Sequence, residues 1–126
     1  YNLFENLKLE NFSILPGSES KLLKGLELGC SGIITATCNV TAELARKVYD
    51  DFIAHNEQTD NQKLCDVRIS FEKYNLISGL HTYFGKYNQS YLNVLPPLNT
   101  LNSQDENELI KNLEKLNFSI KSLMAA

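Results

Sequence analysis

Phe12-Ser13-Ile14-Leu15-Pro16-Gly17-Ser18-Glu19-Ser20 leads through Lys21-Leu22-Leu23-Lys24-Gly25-Leu26-Glu27-Leu28-Gly29-Cys30-Ser31 into Gly32-Ile33-Ile34-Thr35-Ala36-Thr37-Cys38-Asn39. This stretch decides the fold. Phe12–Leu15 is a short apolar run stopped by Pro16-Gly17, the pattern of a buried strand. Ser18-Glu19-Ser20 opens a helical pattern with Leu22, Leu23, Leu26 and Leu28, and Gly29 and Gly32 end it. Gly32–Thr37 is apolar and β-branched, which predicts a second buried strand. Asn39 and Thr41 start a further helix. The order strand, helix, strand, helix predicts an α/β fold with parallel strands and crossover helices.

In such folds, ligands meet the carboxyl ends of strands, where loops lead into helix N-termini. Here those ends are Gly17-Ser18-Glu19-Ser20 and Thr35-Ala36-Thr37-Cys38-Asn39. Gly17 admits close approach to the backbone. The N–H groups of the helix that follows favour an anion such as a carboxylate. The same residues also have a purely structural reading, with Ser18 as an N-cap and Glu19 complementing the helix dipole.

Leu15-Pro16-Gly17-Ser18-Glu19, followed by Gly29-Cys30-Ser31-Gly32-Ile33-Ile34-Thr35-Ala36-Thr37-Cys38-Asn39, resembles strands seven and eight of the dihydrodipicolinate synthase / N-acetylneuraminate lyase family of class I aldolases. The resemblance implies a (β/α)8 TIM barrel and a strand-six lysine that forms a Schiff base with pyruvate or another 2-oxo acid. It implies that Gly17, Ser18 and Glu19 face the substrate. It also implies that Ile34, Thr35 and Ala36 line the pyruvate end, with the Ile34 carbonyl toward the bound 2-oxo acid. No metal or organic cofactor is implied. Glu19 aligns with an acid that binds substrate hydroxyls in sialic acid lyases, whereas Ser20 stands where those lyases carry a second acid. The Pro96-Pro97-Leu98 turn continues the resemblance, but the family's frequent arginine before that turn is Leu95 here. A lysine of many relatives is replaced by His81.

A (β/α)8 barrel takes about 250 residues, so the 126 residues here supply only part of one. The expected division is 1–56, the last two β/α units, and 57–126, a C-terminal helical extension. The formal charge of −3 provides no basic footprint for nucleic acid. No apolar run approaches the roughly 18 residues of a membrane span. Tyr1-Asn2-Leu3-Phe4-Glu5 lacks a basic start and an apolar h-region, so no signal peptide is expected. Cys30, Cys38 and Cys65 are an odd set without a Cys-x-x-Cys pair, which argues against a disulfide framework or a zinc site and for a reducing, cytoplasmic compartment. Cys38 lies near a strand end, but no histidine is close in sequence. It reads as a small apolar residue.

Along the rest of the chain, Leu3, Phe4 and Leu7 predict a helix over Tyr1–Leu9. Lys8, Lys21, Lys24 and Lys47 all fall in predicted helices, away from the desolvated or cationic surroundings that make a lysine reactive. The family resemblance places the Schiff-base lysine upstream of Tyr1, and no catalytic residue is assigned within the chain. Thr41–Asn56 predicts an amphipathic helix with Leu44, Val48 and Phe52 on one face and His55 near its end. Thr59-Asp60-Asn61-Gln62 is a capping-box signature before a helix with Leu64, Val67, Phe71 and Tyr74. Leu80, Tyr83, Phe84 and Tyr87 suggest a short helix, Asn88-Gln89-Ser90 a loop, and Pro96-Pro97 an extended link. Ser103-Gln104-Asp105-Glu106 is another capping box, with Ser103 as the cap, and it starts the last helix, which carries Leu109, Leu113, Leu116, Ile120 and Leu123.

Two functions follow. One is part of a Schiff-base lyase or aldolase that joins or splits a carbon–carbon bond next to a 2-oxo acid. It is dihydrodipicolinate synthase-like or 2-keto-3-deoxy sugar acid aldolase-like. Its partners are a 2-oxo acid, an aldehyde, the N-terminal half of the barrel and further copies in a homodimer or homotetramer. The alternative is a non-catalytic helical assembly module without the lysine.

Overall fold

The computed structural model describes residues 11–120. The helix expected over Tyr1–Leu9 and the seam residue Leu123 lie outside them. The chain divides into two compact units between Cys65 and Asp66.

In the first unit a 3-10 turn, Glu19–Lys21, runs into α1, Leu22–Glu27. The long helix α2 spans Cys38–Ile53, and α3 begins at Asn61 and runs to Glu72. Leu22 and Leu26 of α1 pack with Ala45 and Val48 of α2 and with Leu64, while Ile33, Leu44, Tyr49 and Phe52 close over them. On each helix these apolar positions recur on one face, and fully burying a leucine or valine among them stabilises the unit by about 1.5–3 kcal/mol.

No strand forms among the described residues, which corrects the expected strands seven and eight at Phe12–Leu15 and Gly32–Thr37. The two segments do lie side by side and run in the same direction. Ser31 N–H donates to the Ile14 carbonyl at 3.0 Å, and Ile34 N–H to the Pro16 carbonyl at 3.2 Å. The acceptors step by two positions, 14 to 16, and the donors by three, 31 to 34. A parallel ladder needs equal steps. The extra residue breaks the ladder, and Gly32 within it takes φ 148°, a conformation that side-chain-bearing residues rarely adopt. Phe12 is 64% and Ile34 72% exposed, so neither segment is covered as a buried parallel strand would be.

Helix ends repeat one device. After α1 the Cys30 N–H returns to the Gly25 carbonyl, with Gly29 at φ 94°. After α2 the Asn56 N–H returns to Asp51, with His55 at φ 57°. Each is a Schellman turn, whose left-handed position favours glycine. His55, expected near the end of this helix, sits one residue past its C-cap, where the backbone turn sets its position.

In the second unit α4 spans Leu76–Gly85 and α5 spans Ser103–Lys115, with a 3-10 turn at Gln89–Leu92 where a loop was expected. Phe71, Leu80, Tyr83, Leu109, Leu113 and Ile120 are buried. The Phe71 and Tyr83 rings meet edge to face at 5.8 Å, and Gly79 leaves room for Phe71 beside α4. Burial, followed by the Tyr87 hydroxyl, pushes the Tyr83 phenol far up. The Asn75 side chain accepts the Ser78 N–H and caps α4. Asn102, not Ser103, caps α5: its Oδ1 accepts the Asp105 N–H at 2.9 Å. The last helix stops at Lys115 instead of continuing through Ile120, because Asn117 takes φ 48° and Phe118 N–H returns to Leu113. The link at Pro96-Pro97 turns where extension was expected, with Leu98 N–H donating to the Leu95 carbonyl.

Candidate active site

The loops at the ends of the two extended segments come together through one carboxylate. Ser18, extended at φ −153°, offers its carbonyl to Lys21 N–H and starts the 3-10 turn, but its side chain makes no capping bond. Glu19 follows at 0% exposure. Its Oε2 accepts the Thr35 hydroxyl at 3.0 Å and its Oε1 accepts the Thr41 hydroxyl at 2.9 Å. The Thr35 and Thr37 hydroxyls are 3.0 Å apart, and the Thr37 N–H reaches Thr35 Oγ1 at 3.3 Å. A threonine has one hydroxyl proton. Thr35 spends its proton on Glu19, so Thr37 is the donor to Thr35. Thr41 Oγ1 also lies 3.0 Å from the Thr37 carbonyl.

This cluster ties three pieces of chain: the 3-10 turn, the Thr35–Thr37 loop and the first turn of α2. A buried carboxylate is costly unless it is hydrogen-bonded, and threonine hydroxyls on both oxygens meet that need. Glu19 therefore does more than complement a helix dipole.

The other expected site residues are more open. Gly17 is exposed, and a Cβ added there would meet only the Ile34 carbonyl, at 3.8 Å, an ordinary contact. Its own fold therefore does not demand glycine. Ile34 presents its side chain outward at 72% exposure. Thr35 and Ala36 are half-buried, and the Ala36 carbonyl accepts from the Asn39 side chain at 2.8 Å. A groove of about 420 Å³ on this unit is lined by Leu15, Leu22, Ile33, Cys38 and Tyr49 among others, and by none of the six expected site residues. Lys21, Lys24 and Lys47 are exposed on helical turns, and Lys24 and Lys47 pair with nearby acids.

Thr37 and Thr41 were not singled out from sequence. The available signal was their spacing: Thr35 and Thr37 share a side of an extended segment, and Thr37 and Thr41 stand one helical turn apart.

Residues 2–116 match the model of the dihydrodipicolinate synthetase family. The chain belongs to this family. No curated protein sequence matches it. Among solved structures, it is similar to dihydrodipicolinate synthase DapA-2 from Bacillus anthracis, with a TM-score of 0.75 and 18% identity over 84% of this chain and 37% of that one. It is similar to dihydrodipicolinate synthase from Agrobacterium tumefaciens, with a TM-score of 0.68 and 19% identity over 84% of this chain and 36% of that one. It is also similar to YagE, a prophage protein of the dihydrodipicolinic acid synthase family from E. coli K12 solved in complex with pyruvate. That match has a TM-score of 0.74 and 19% identity over 86% of this chain and 38% of that one. At these identities the likeness is one of fold. The chain spans little more than a third of each of these synthetase-family structures.

Proposed function

We propose that the chain is the C-terminal part of a cytoplasmic lyase or aldolase that forms a Schiff base with pyruvate or another 2-oxo acid. The observation that carries this reading is the family match across residues 2–116. The pyruvate complex of YagE supports the substrate class. A lysine from the rest of the protein attacks the 2-oxo carbon, and water leaves as the imine forms. The imine then draws in the electron pair of the neighbouring carbon–carbon bond as it breaks, or returns it to an aldehyde as the bond is made. In this reading Ile34, Thr35 and Ala36 line the 2-oxo acid end. Gly17 and Ser18 face the aldehyde, with Glu19 behind them. Dihydrodipicolinate synthase-like and 2-keto-3-deoxy sugar acid aldolase-like chemistry both fit, in a homodimer or homotetramer.

The test is borohydride reduction of the full-length protein with a panel of 2-oxo acids. Covalent labelling of one lysine with pyruvate or a close analogue is expected. No labelling with any member of the panel overturns the lyase reading and favours the non-catalytic assembly module.

A further inference from the structure

We infer that Glu19 is a positioning residue for the 2-oxo acid end of the site, not a ligand of the second substrate. This rests on the lyase reading above and changes the role of one residue within it. Glu19 has no exposed surface in this unit, and both carboxylate oxygens accept threonine hydroxyls. A group that binds an incoming aldehyde must reach it. This one is turned toward Thr35 and Thr41. Thr35 is the next residue after Ile34, whose N–H is pinned to the Pro16 carbonyl. The carboxylate thus fixes the Ile34–Thr35 peptide from one side and the Pro16–Ile34 bond fixes it from the other. The Ile34 carbonyl belongs to that peptide, and it lies against Gly17. The Thr37-to-Thr35-to-Glu19 hydroxyl relay and the Thr41 bond hold the loop to the start of α2. Loosening Glu19 therefore acts first on the surface assigned to the 2-oxo acid.

The experiment uses the full-length protein and reads two quantities in each variant: the 2-oxo acid concentration that half-saturates borohydride trapping, and the KM for the aldehyde. Thr41→Val removes the hydroxyl on Glu19 Oε1, keeps the shape and lies outside the surface assigned to the 2-oxo acid. It is expected to raise the trapping half-saturation by roughly tenfold, the low end for the loss of one hydrogen bond to a charged group, while the aldehyde KM stays within about twofold. Glu19→Gln is expected to shift in the same direction, and Thr41→Ser, which keeps the hydroxyl, is expected to restore wild-type values. If Glu19→Gln raises only the aldehyde KM, or if Thr41→Val leaves trapping unchanged, the inference is overturned while the lyase reading stands. Absence of trapping in the wild-type protein overturns the lyase reading and this inference with it. Should Glu19→Gln fail to fold, the Thr41 pair alone decides the matter.

Discussion

The units on either side of the Cys65–Asp66 division hold their loops with different groups. From Asp66 onward the groups are neutral: Phe71, Tyr83, Leu109 and Leu113 are buried, asparagine caps start α4 and α5, and between those helices the Thr82 hydroxyl accepts the Leu101 N–H while the His81 ring lies 2.6 Å from the Tyr91 carbonyl. Before it, helices α1 and α2 share an apolar core, but the loops above that core are held by hydroxyls on the Glu19 carboxylate. Apolar burial is non-directional and supplies stability. Hydrogen bonds to a buried charge are directional and fix geometry. The difference teaches where precision is invested. It lies at the loops assigned to the substrate, and there the large apolar side chain of Ile34 is left exposed.

The comparison breaks most visibly in the second unit. Phe71→Ala, at a position with 0% exposure and a ring contact to Tyr83, is expected to cost about 3–5 kcal/mol in urea unfolding. A loss below about 1 kcal/mol would remove apolar packing as the basis of that unit. Thr41→Val probes the other side. It leaves Glu19 Oε1 without that hydroxyl, and the expected cost is about 1–3 kcal/mol. A neutral result would mean that the carboxylate is not held there.

Much of this was legible beforehand. The helix pattern from Ser18 to Leu28, the stripe of Leu64, Val67 and Phe71, and the final helix with Leu109 and Leu113 all follow from periodicity, because one helix face is buried in each. The strands were not legible correctly. An apolar run records a tendency toward burial and extension, but a ladder needs a register, and the unequal step at Gly32 is a property of two segments together. The Glu19 cluster was half legible. Its acid stood out after Gly17, but the bonds to Thr35 and Thr41 span 16 and 22 positions, and only folding brings them together. Asn102 was missed as a cap by one residue because Ser103 is an equally good candidate by type.

Smaller effects sharpen the account of the helix ends. Gly29 and His55 occupy the same left-handed position after their helices, so His55→Gly is expected to raise stability by about 0.5–1 kcal/mol. Destabilisation would show that the imidazole has a role of its own. A pH profile adds the subtlest test. Hydrogen bonds from Lys47 hold the Asp51 and Asp60 carboxyls below the usual range, and the same bonds raise the Lys47 ammonium. Depressed carboxyl values contribute stability above the unfolded pKa of about 4, lost as pH falls through the folded values. The raised lysine contributes below about 10.4, and its share is lost as pH rises through the folded value. Because these groups are open to solvent the effect is small. Lys47→Met should flatten both limbs of the profile, and an unchanged acid limb would contradict this assignment.

The most direct test of the central claim, that the loop at residues 33–37, held from behind by Glu19, forms the 2-oxo acid wall, is amide hydrogen exchange of the full-length protein before and after borohydride trapping with pyruvate. The account predicts slowed exchange at the Ile34 and Thr37 amides, which donate to Pro16 and to the Thr35 hydroxyl, with little change from Asp66 to Ile120. Protection confined to the second unit, or none at residues 33–37 in a protein that traps pyruvate, would contradict it.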